Sequence, residues 1–289
     1  MKILVTGASG NVGTYVVNEL LKMGEAVVAA GTNRQKLDQL FGSNVTTVAF
    51  DFTRPETYKK ALTGVDRIFL MRPPHLGKPE DLYPFIKATQ EYPITLITFL
   101  SLMGIEKNTI PPHYKIEKFI ESVGIPFAHI RPGFFMQNIS GIHALEIRDK
   151  DIIFIPAGKS RTSFIDAADI GLASATILHD PDQFKNTAHT ISGPEALDYF
   201  QVADVLSKLT NRKITYVKPG LLKYRSYYIK SRGLDKNYVN VTVMLYIMTR
   251  LGTAKTITNE FFKLTGKNPR TFEDFAKANI GAFMKDNDN

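Results

Sequence analysis

Residues 7–13, Gly7-Ala8-Ser9-Gly10-Asn11-Val12-Gly13, place three glycines at three-residue spacing after the apolar run Lys2–Thr6. A helical pattern follows, with Val16, Val17, Leu20 and Leu21 on one face. Strand, glycine turn and helix in this order suit phosphate binding. Gly7 lets the chain turn off the strand, Gly10 lets the backbone approach a pyrophosphate, and Gly13 lets the helix pack close. Ser9, Asn11 and Val12 complete the expected loop, and the helix start offers free N–H groups and a positive dipole end. The reading is a bound dinucleotide.

The end of the second apolar run bears on which dinucleotide. It reads Gly31-Thr32-Asn33-Arg34-Gln35-Lys36. An NAD site usually carries an acid here, bonded to the ribose 2′-hydroxyl. No carboxylate is present. Arg34 is placed to meet a 2′-phosphate, with Thr32 and Asn33 adding hydrogen bonds, so NADP(H) is favoured over NAD(H). Among the histidines, His113 follows two prolines at a helix start, where imidazole can bond a ribose hydroxyl or relay a proton. A helix-capping role is the plain alternative. His129, within a strand, reads as a satisfied core residue. His143 and Glu146 have i,i+3 spacing but no visible third ligand, so no metal is expected.

The elements that must position these residues alternate. Strands are expected at Ala26–Ala30, Val45–Phe50, Arg67–Met71, Ile94–Leu100 and Phe127–Ile130. Helices are expected at Arg34–Leu40, Glu56–Leu62, Leu82–Gln90 and His113–Val123. Such alternation predicts an α/β fold, a doubly wound parallel Rossmann sheet with the ligand across the carboxyl ends of its strands. After Arg131-Pro132-Gly133 the rhythm changes. Strands are expected at Asp151–Ile155, Ala188–Ser192 and Ile214–Val217, and helices at Asp169–Leu178 and Phe200–Leu209, with a mostly helical tail from Gly220. The expected division is a dinucleotide-binding domain over 1–134, receiving segments from 160–192, and a smaller, mostly helical lobe over 135–289 that covers the cleft. Residues 286–289 read as disordered.

Composition narrows the classes. The chain has 289 residues and no cysteine, which excludes disulfides, thiolate metal sites and a cysteine nucleophile. That is compatible with a reducing cytoplasm, the expected compartment. The glycine turn interrupts the first apolar run too early for a signal peptide. Tyr238–Leu251 is too short for a comfortable membrane span and reads as a buried helix. Net charge is +8. The densest basic cluster, Lys223–Arg232, interleaves tyrosines on which bases could stack, but a plain basic helix is the reading preferred and no nucleic-acid partner is expected.

Several segments carry a resemblance. They are Thr6–Gly13, Ser101-Leu102-Met103, His113-x-x-x-Glu117-Lys118-Phe119-Ile120, Gly124-Ile125-Pro126-Phe127, Arg131-Pro132-Gly133-Phe134-Phe135-Met136-Gln137-Asn138, Asp166-Ala167-Ala168-Asp169-Ile170-Gly171 and Leu264-Thr265-Gly266-Lys267. Together they resemble the NmrA-like atypical branch of the short-chain dehydrogenase/reductase superfamily, above all its quinone-reducing and triphenylmethane-reducing members. The resemblance implies that Asp51, with Phe52 beside it, contacts adenine, and that Met71-Arg72 and Ser101 pass the nicotinamide side. It also raises the superfamily's Tyr-x-x-x-Lys pair, in which lysine lowers the tyrosine pKa. Tyr114 and Lys118 have that spacing. Aligning Glu117 with the family glutamate instead puts His113 at the lysine position and Thr109 at the tyrosine position. Tyr114 then projects about 100° round the helix from His113. His113 is therefore preferred, with Tyr114 and Lys118 kept as catalytic candidates.

The expected acceptor wall is Phe134, Phe135 and Met136, with Tyr224, Tyr227 and Tyr228 as further candidates. A flat apolar acceptor such as a quinone suits it and needs little acid–base help. The implied function is NAD(P)H-dependent hydride transfer to such an acceptor, with no flavin. A non-enzymatic NADP-binding sensor with a protein partner, and a nucleotide-sugar epimerase, are the alternatives. A homodimer is possible on either reading.

Overall fold

The computed structural model describes residues 1–285, so the tail expectation for 286–289 lies outside the described residues. The chain runs β1 (Lys2–Thr6), α1 (Gly13–Lys22), β2 (Val27–Gly31), α2 (Arg34–Phe41), β3 (Thr46–Ala49), α3 (Tyr58–Leu62), β4 (Val65–Met71), α4 (Tyr83–Ala88), β5 (Leu96–Leu100), α5 (Pro112–Ser122) and β6 (Phe127–Pro132). It continues through β7 (Phe134–Phe135), α6 (Gln137–Ser140), α7 (Ala144–Lys150), β8 (Ile152–Ile153), β9 (Thr162–Ile165), α8 (Ala167–His179), β10 (Thr187–Ile191), β11 (Ala196–Leu197), α9 (Tyr199–Thr210), β12 (Thr215–Tyr216), α10 (Leu221–Ser226), α11 (Lys236–Arg250), α12 (Glu260–Thr265) and α13 (Phe272–Ala278).

Two compact units result. The first takes Met1–Pro132, Ala167–Ile191 and Glu260–Lys267. Its sheet has seven parallel strands in the order β10-β6-β5-β4-β1-β2-β3. β5 is buried along its whole length, as a strand covered on both faces must be, which is why Leu96–Leu100 reads as a run rather than an alternation. The order reverses at β1, with β2 on one side and β4 on the other, so a crevice opens at their carboxyl ends. Thr6 joins those ends: its hydroxyl donates to Phe69 O and accepts from Met71 N, both at 3.1 Å. Gly171 lets α8 approach α1, since a Cβ there would lie 2.4 Å from Tyr15 Cβ.

The second unit takes Gly133–Asp166, Ser192–Asn259 and the chain from Asn268. It holds a three-stranded sheet β11-β9-β7, a β12-β8 pair, and a core that includes Ile147, Phe164, Val202, Leu206, Phe272 and Phe275. Residues 160–166 fall here and not in the first unit. β7, β9 and β11 have no counterpart among the expected strands, because two to four residues carry too little periodicity to register. The helix expected to be buried over Tyr238–Leu251 is corrected. In α11 only Val239, Tyr246 and Thr249 are buried, while Tyr238, Val241, Met244 and Leu245, with Leu251 just beyond, are exposed. A surface helix buries one side, and a sequence apolar all round does not say which. Among the described residues no helix is long and apolar enough to cross a membrane.

Candidate active site

The glycine turn follows β1 directly. Gly7 has φ +62°, a left-handed conformation, and a Cβ there would stand 2.6 Å from Met71 Sδ. The turn closes with Gly10 N donating to Gly7 O at 2.9 Å, and Thr14 Oγ1 ties it to α1 through Ala8 O and Gly10 O, each at 3.0 Å. A Cβ on Gly13 would lie 2.2 Å from Gly7 O, so the close approach is of helix to turn rather than of helix to sheet. Val12 is buried, whereas Gly10 and Asn11 are exposed and Ser9 is half-buried at the rim. No side chain caps α1, and Thr14 N donates back to Gly10 O at 3.1 Å. A backbone cradle beside an uncapped helix start fits a pyrophosphate.

At the end of β2 the residues Thr32, Asn33 and Arg34 are all exposed. Asn33, expected to add a hydrogen bond beside Arg34, caps α2 by accepting from Lys36 N at 3.0 Å. Arg34 Nε sits 3.4 Å from Thr47 Oγ1 and 3.8 Å from Asp38 Oδ2. Asp38 was not foreseen; it tethers the guanidinium and leaves it more than half exposed. Asp51 Oδ1 accepts from Thr53 N and Thr53 Oγ1, both at 2.8 Å, and these bonds hold its carboxyl below the usual range. Phe52 is corrected: its ring packs edge-on against Phe50 and Phe85, at 4.8 and 5.4 Å, inside the core.

The end of β4 and the start of α5 hold the least satisfied polar atoms of this region. Arg72 directs NH1 to the carbonyls of Pro73 and Leu76, but its Nε is buried without a partner. His113 Nδ1 is likewise buried and unpartnered, while buried Ser101 directs its hydroxyl to the Glu117 carboxylate. Buried polar groups are nearly always paired, so orphans grouped at a crevice mark where a polar ligand fits. Burial, reinforced by Arg72, lowers the His113 pKa to about 3, and its ring lies 5.9 Å from that of Phe99. The imidazole is therefore neutral near pH 7, suited to hydrogen bonding; the proton relay is corrected.

One turn along α5 from His113, buried Glu117 is gripped by Arg131 through a fork, Nε–Oε1 at 3.0 Å and NH2–Oε2 at 2.7 Å. Burial alone would raise the Glu117 pKa; the arginine outweighs it. This clamp between α5 and β6 fixes the helix that carries His113. Its signal was the Glu117 and Arg131 in the quoted motifs, read there only as likeness. Lys118 is more than half exposed and pairs with Glu121 at 2.6 Å, its Nζ being 6.0 Å from the Tyr114 ring centre. Lys118, a catalytic candidate with Tyr114, thus stands in a surface ion pair.

In the second unit, Phe134 and Phe135 form β7 beside Phe164 and Ile165 of β9. Successive strand residues face opposite ways. Phe134 packs on the unit's core, with its ring 6.2 Å from Tyr246, so Phe135 is the one turned away. Met136, Tyr224 and Tyr228 are corrected from acceptor wall to core, each being 1 % exposed or less. Tyr227 is bonded to Glu146 at 2.9 Å and by Lys150 at 2.8 Å. His143 lies between the hydroxyls of Tyr228 and Tyr246, 2.7 Å from each. His129 is a buried residue of β6, stacked on Phe127 at 4.7 Å, with Nε2 3.4 Å from Glu121 Oε1. Potential metal-ligand atoms of Glu117, Glu121 and His129 lie within 4.8 Å of one another, but Arg131 and Lys118 already neutralise the two carboxylates.

Comparison with known proteins matches the NmrA-like family profile over residues 1–276. Prestalk A differentiation protein A of Dictyostelium discoideum is 33 % identical, with 96 % of this chain and 92 % of that protein covered. The NAD(P)H azoreductase of Xenophilus azovorans is 28 % identical, over 97 % and 99 %. Two solved structures share the fold: the Citrobacter sp. triphenylmethane reductase complexed with NADP(H), TM-score 0.85, 20 % identical over 96 % and 99 %, and an Escherichia coli NADPH-dependent quinone oxidoreductase complexed with NADPH, TM-score 0.84, 22 % identical over 96 % and 99 %.

Proposed function

The chain belongs to the NmrA-like family, and from that premise we propose that it is an NADPH-dependent reductase that passes hydride to a flat, apolar, quinone-like acceptor. The observation that carries this reading is the pair of buried, unpartnered atoms Arg72 Nε, just after β4, and His113 Nδ1, at the start of α5. The azoreductase relative supports it, because an azo compound is also a flat conjugated acceptor.

On this reading the turn Gly7–Gly13 and the start of α1 hold the pyrophosphate, Asp51 keeps a free oxygen for the adenosine side, and Arg34 meets the 2′-phosphate. NADPH, when bound, supplies the hydride. His113 gives the nicotinamide ribose a neutral hydrogen bond, and Arg72 bonds what lies beside it. No side chain need serve as an acid, since quinol oxygens take protons from water. A quinone is therefore a better match than a sugar, whose oxidation needs a tyrosine-type base.

The purified protein should consume NADPH when a small naphthoquinone is added, at a rate nearly flat from pH 6 to 8 by order of magnitude, as a histidine with a pKa of about 3 implies. NADPH should be preferred to NADH by roughly tenfold to a hundredfold, and Arg34→Ala should erase the preference. A second reading, an NADP sensor, is favoured by the 33 % identity to a protein named for differentiation rather than catalysis. Tight NADPH binding with no oxidation above the protein-free rate, across many acceptors, selects the sensor.

A further inference from the structure

We propose that the second unit docks on an anionic lipid bilayer through the outward face of α11. The chain's charge is concentrated around this helix. Residues 205–259 contain eleven lysines and arginines and one acid, Asp235, an excess larger than the +8 of the whole chain. No acidic residue occurs between Lys236 and Asn259.

The same segment exposes apolar side chains in register. Val241 is 58 % exposed, Met244 54 % and Leu251 72 %, with Tyr238 and Leu245 beside them at about two-fifths. Positions 241, 244, 248 and 251 alternate spacings of three and four, which keeps them on one stripe at about 100° per residue. The opposite side buries Val239, Tyr246 and Thr249 in the unit's own packing. Lys236 stands at one end of the stripe and Lys255 follows the other, Arg250 being turned back to Pro156 O at 2.6 Å, and α10 adds Leu222, 84 % exposed, next to Lys223. An apolar helix face with a cationic rim matches an interfacial helix, whose binding combines buried apolar area with attraction to anionic headgroups.

Other occupants fit less well. Nucleic acid would need rings to stack on, yet Tyr224 and Tyr228 are buried, Arg225 is bonded to Asn240 and Arg232 to Glu146. A second copy packed antiparallel would set the Lys236 end of one α11 against the Arg250 end of the other, like charge against like.

The full chain should sediment with vesicles of phosphatidylcholine containing phosphatidylglycerol, only weakly with phosphatidylcholine alone, and high salt should release it. Met244→Asp with Leu251→Asp should weaken the partition by about tenfold or more while leaving the unfolding temperature unchanged. Lys236→Gln with Lys255→Gln should remove much of the dependence on phosphatidylglycerol. No binding to the anionic vesicles, or equal binding by wild type and Met244→Asp/Leu251→Asp, overturns the proposal. A dimer in solution that Met244→Asp converts to monomer overturns it too, and assigns the stripe to a second copy.

Discussion

At the scale of single residues, His113 and Tyr114 are adjacent in sequence but differ in setting. His113 is oriented by the Phe99 ring, by nearby Arg72 and by the Glu117–Arg131 clamp one turn away, whereas the Tyr114 ring has the exposed Lys118 ammonium 6.0 Å from its centre. His113→Ala should therefore weaken NADPH binding by roughly threefold to tenfold, the worth of one neutral hydrogen bond, while Tyr114→Phe leaves binding and turnover nearly unchanged. Calorimetry with NADPH, paired with steady-state rates, reads both. A collapse of turnover on Tyr114→Phe with the fold intact would restore the tyrosine. The face that His113 shares with Glu117 was legible in the sequence because helix register is arithmetic: the two lie four residues apart on α5. The orientation of the aromatic side chains in the second unit was less legible. Phe135 differs from Met136, Tyr224 and Tyr228 only in which way it points, and residue type does not encode that. Asp38 beside Arg34 escaped notice for a related reason: the pairing of α2 with Thr47 of β3 exists only once the strands are side by side.

At the scale of elements, the strand–turn–helix at the amino terminus was readable because glycine at Gly7 and Gly13 answers steric demands that no other residue meets. Gly13→Ala puts a methyl group 2.2 Å from Gly7 O, so turn or helix must shift. We expect about 1–3 kcal/mol of destabilisation by urea unfolding, as in overpacked cores, together with weaker NADPH binding. Gly281→Ala is the control: Gly281 is exposed, nothing lies within 4 Å of the added methyl and its φ is not left-handed, so stability should hold or rise slightly. Equal stability of the two variants would show that the turn tolerates a side chain. The long parallel strands of the first unit were legible as apolar runs. The short strands of the second were not, since their identity lies in long-range pairing such as Phe134 with Phe164. The outward side of α11 was misread because its apolar residues surround the helix.

At the scale of the whole molecule, buried neutral histidines tie stability to pH. His113 and His143 both have pKa values lowered to about 3, chiefly by burial, with Arg72 acting on the first and Arg232 on the second. Each protonates near pH 6.5 when unfolded, so the unfolded chain takes the proton first. Their contribution is intact above about pH 6.5 and is lost as pH falls toward 3, by up to about 1.4 kcal/mol per pH unit for each. Unfolding temperature should fall steadily over that window, and His143→Gln should flatten the slope even where it lowers stability throughout. An unchanged slope would mean that His143 is not held neutral. The central claim is direct hydride transfer, and it is tested most directly with NADPH deuterated at nicotinamide C4, on one face and then on the other. The acceptor should be a naphthoquinone, and the turnover rate the readout. The account predicts oxidation of unlabelled NADPH above the protein-free rate, slowed by deuterium on one face only. Oxidation indifferent to both labels would place hydride transfer outside the rate-governing chemistry, and no oxidation at all would contradict the account.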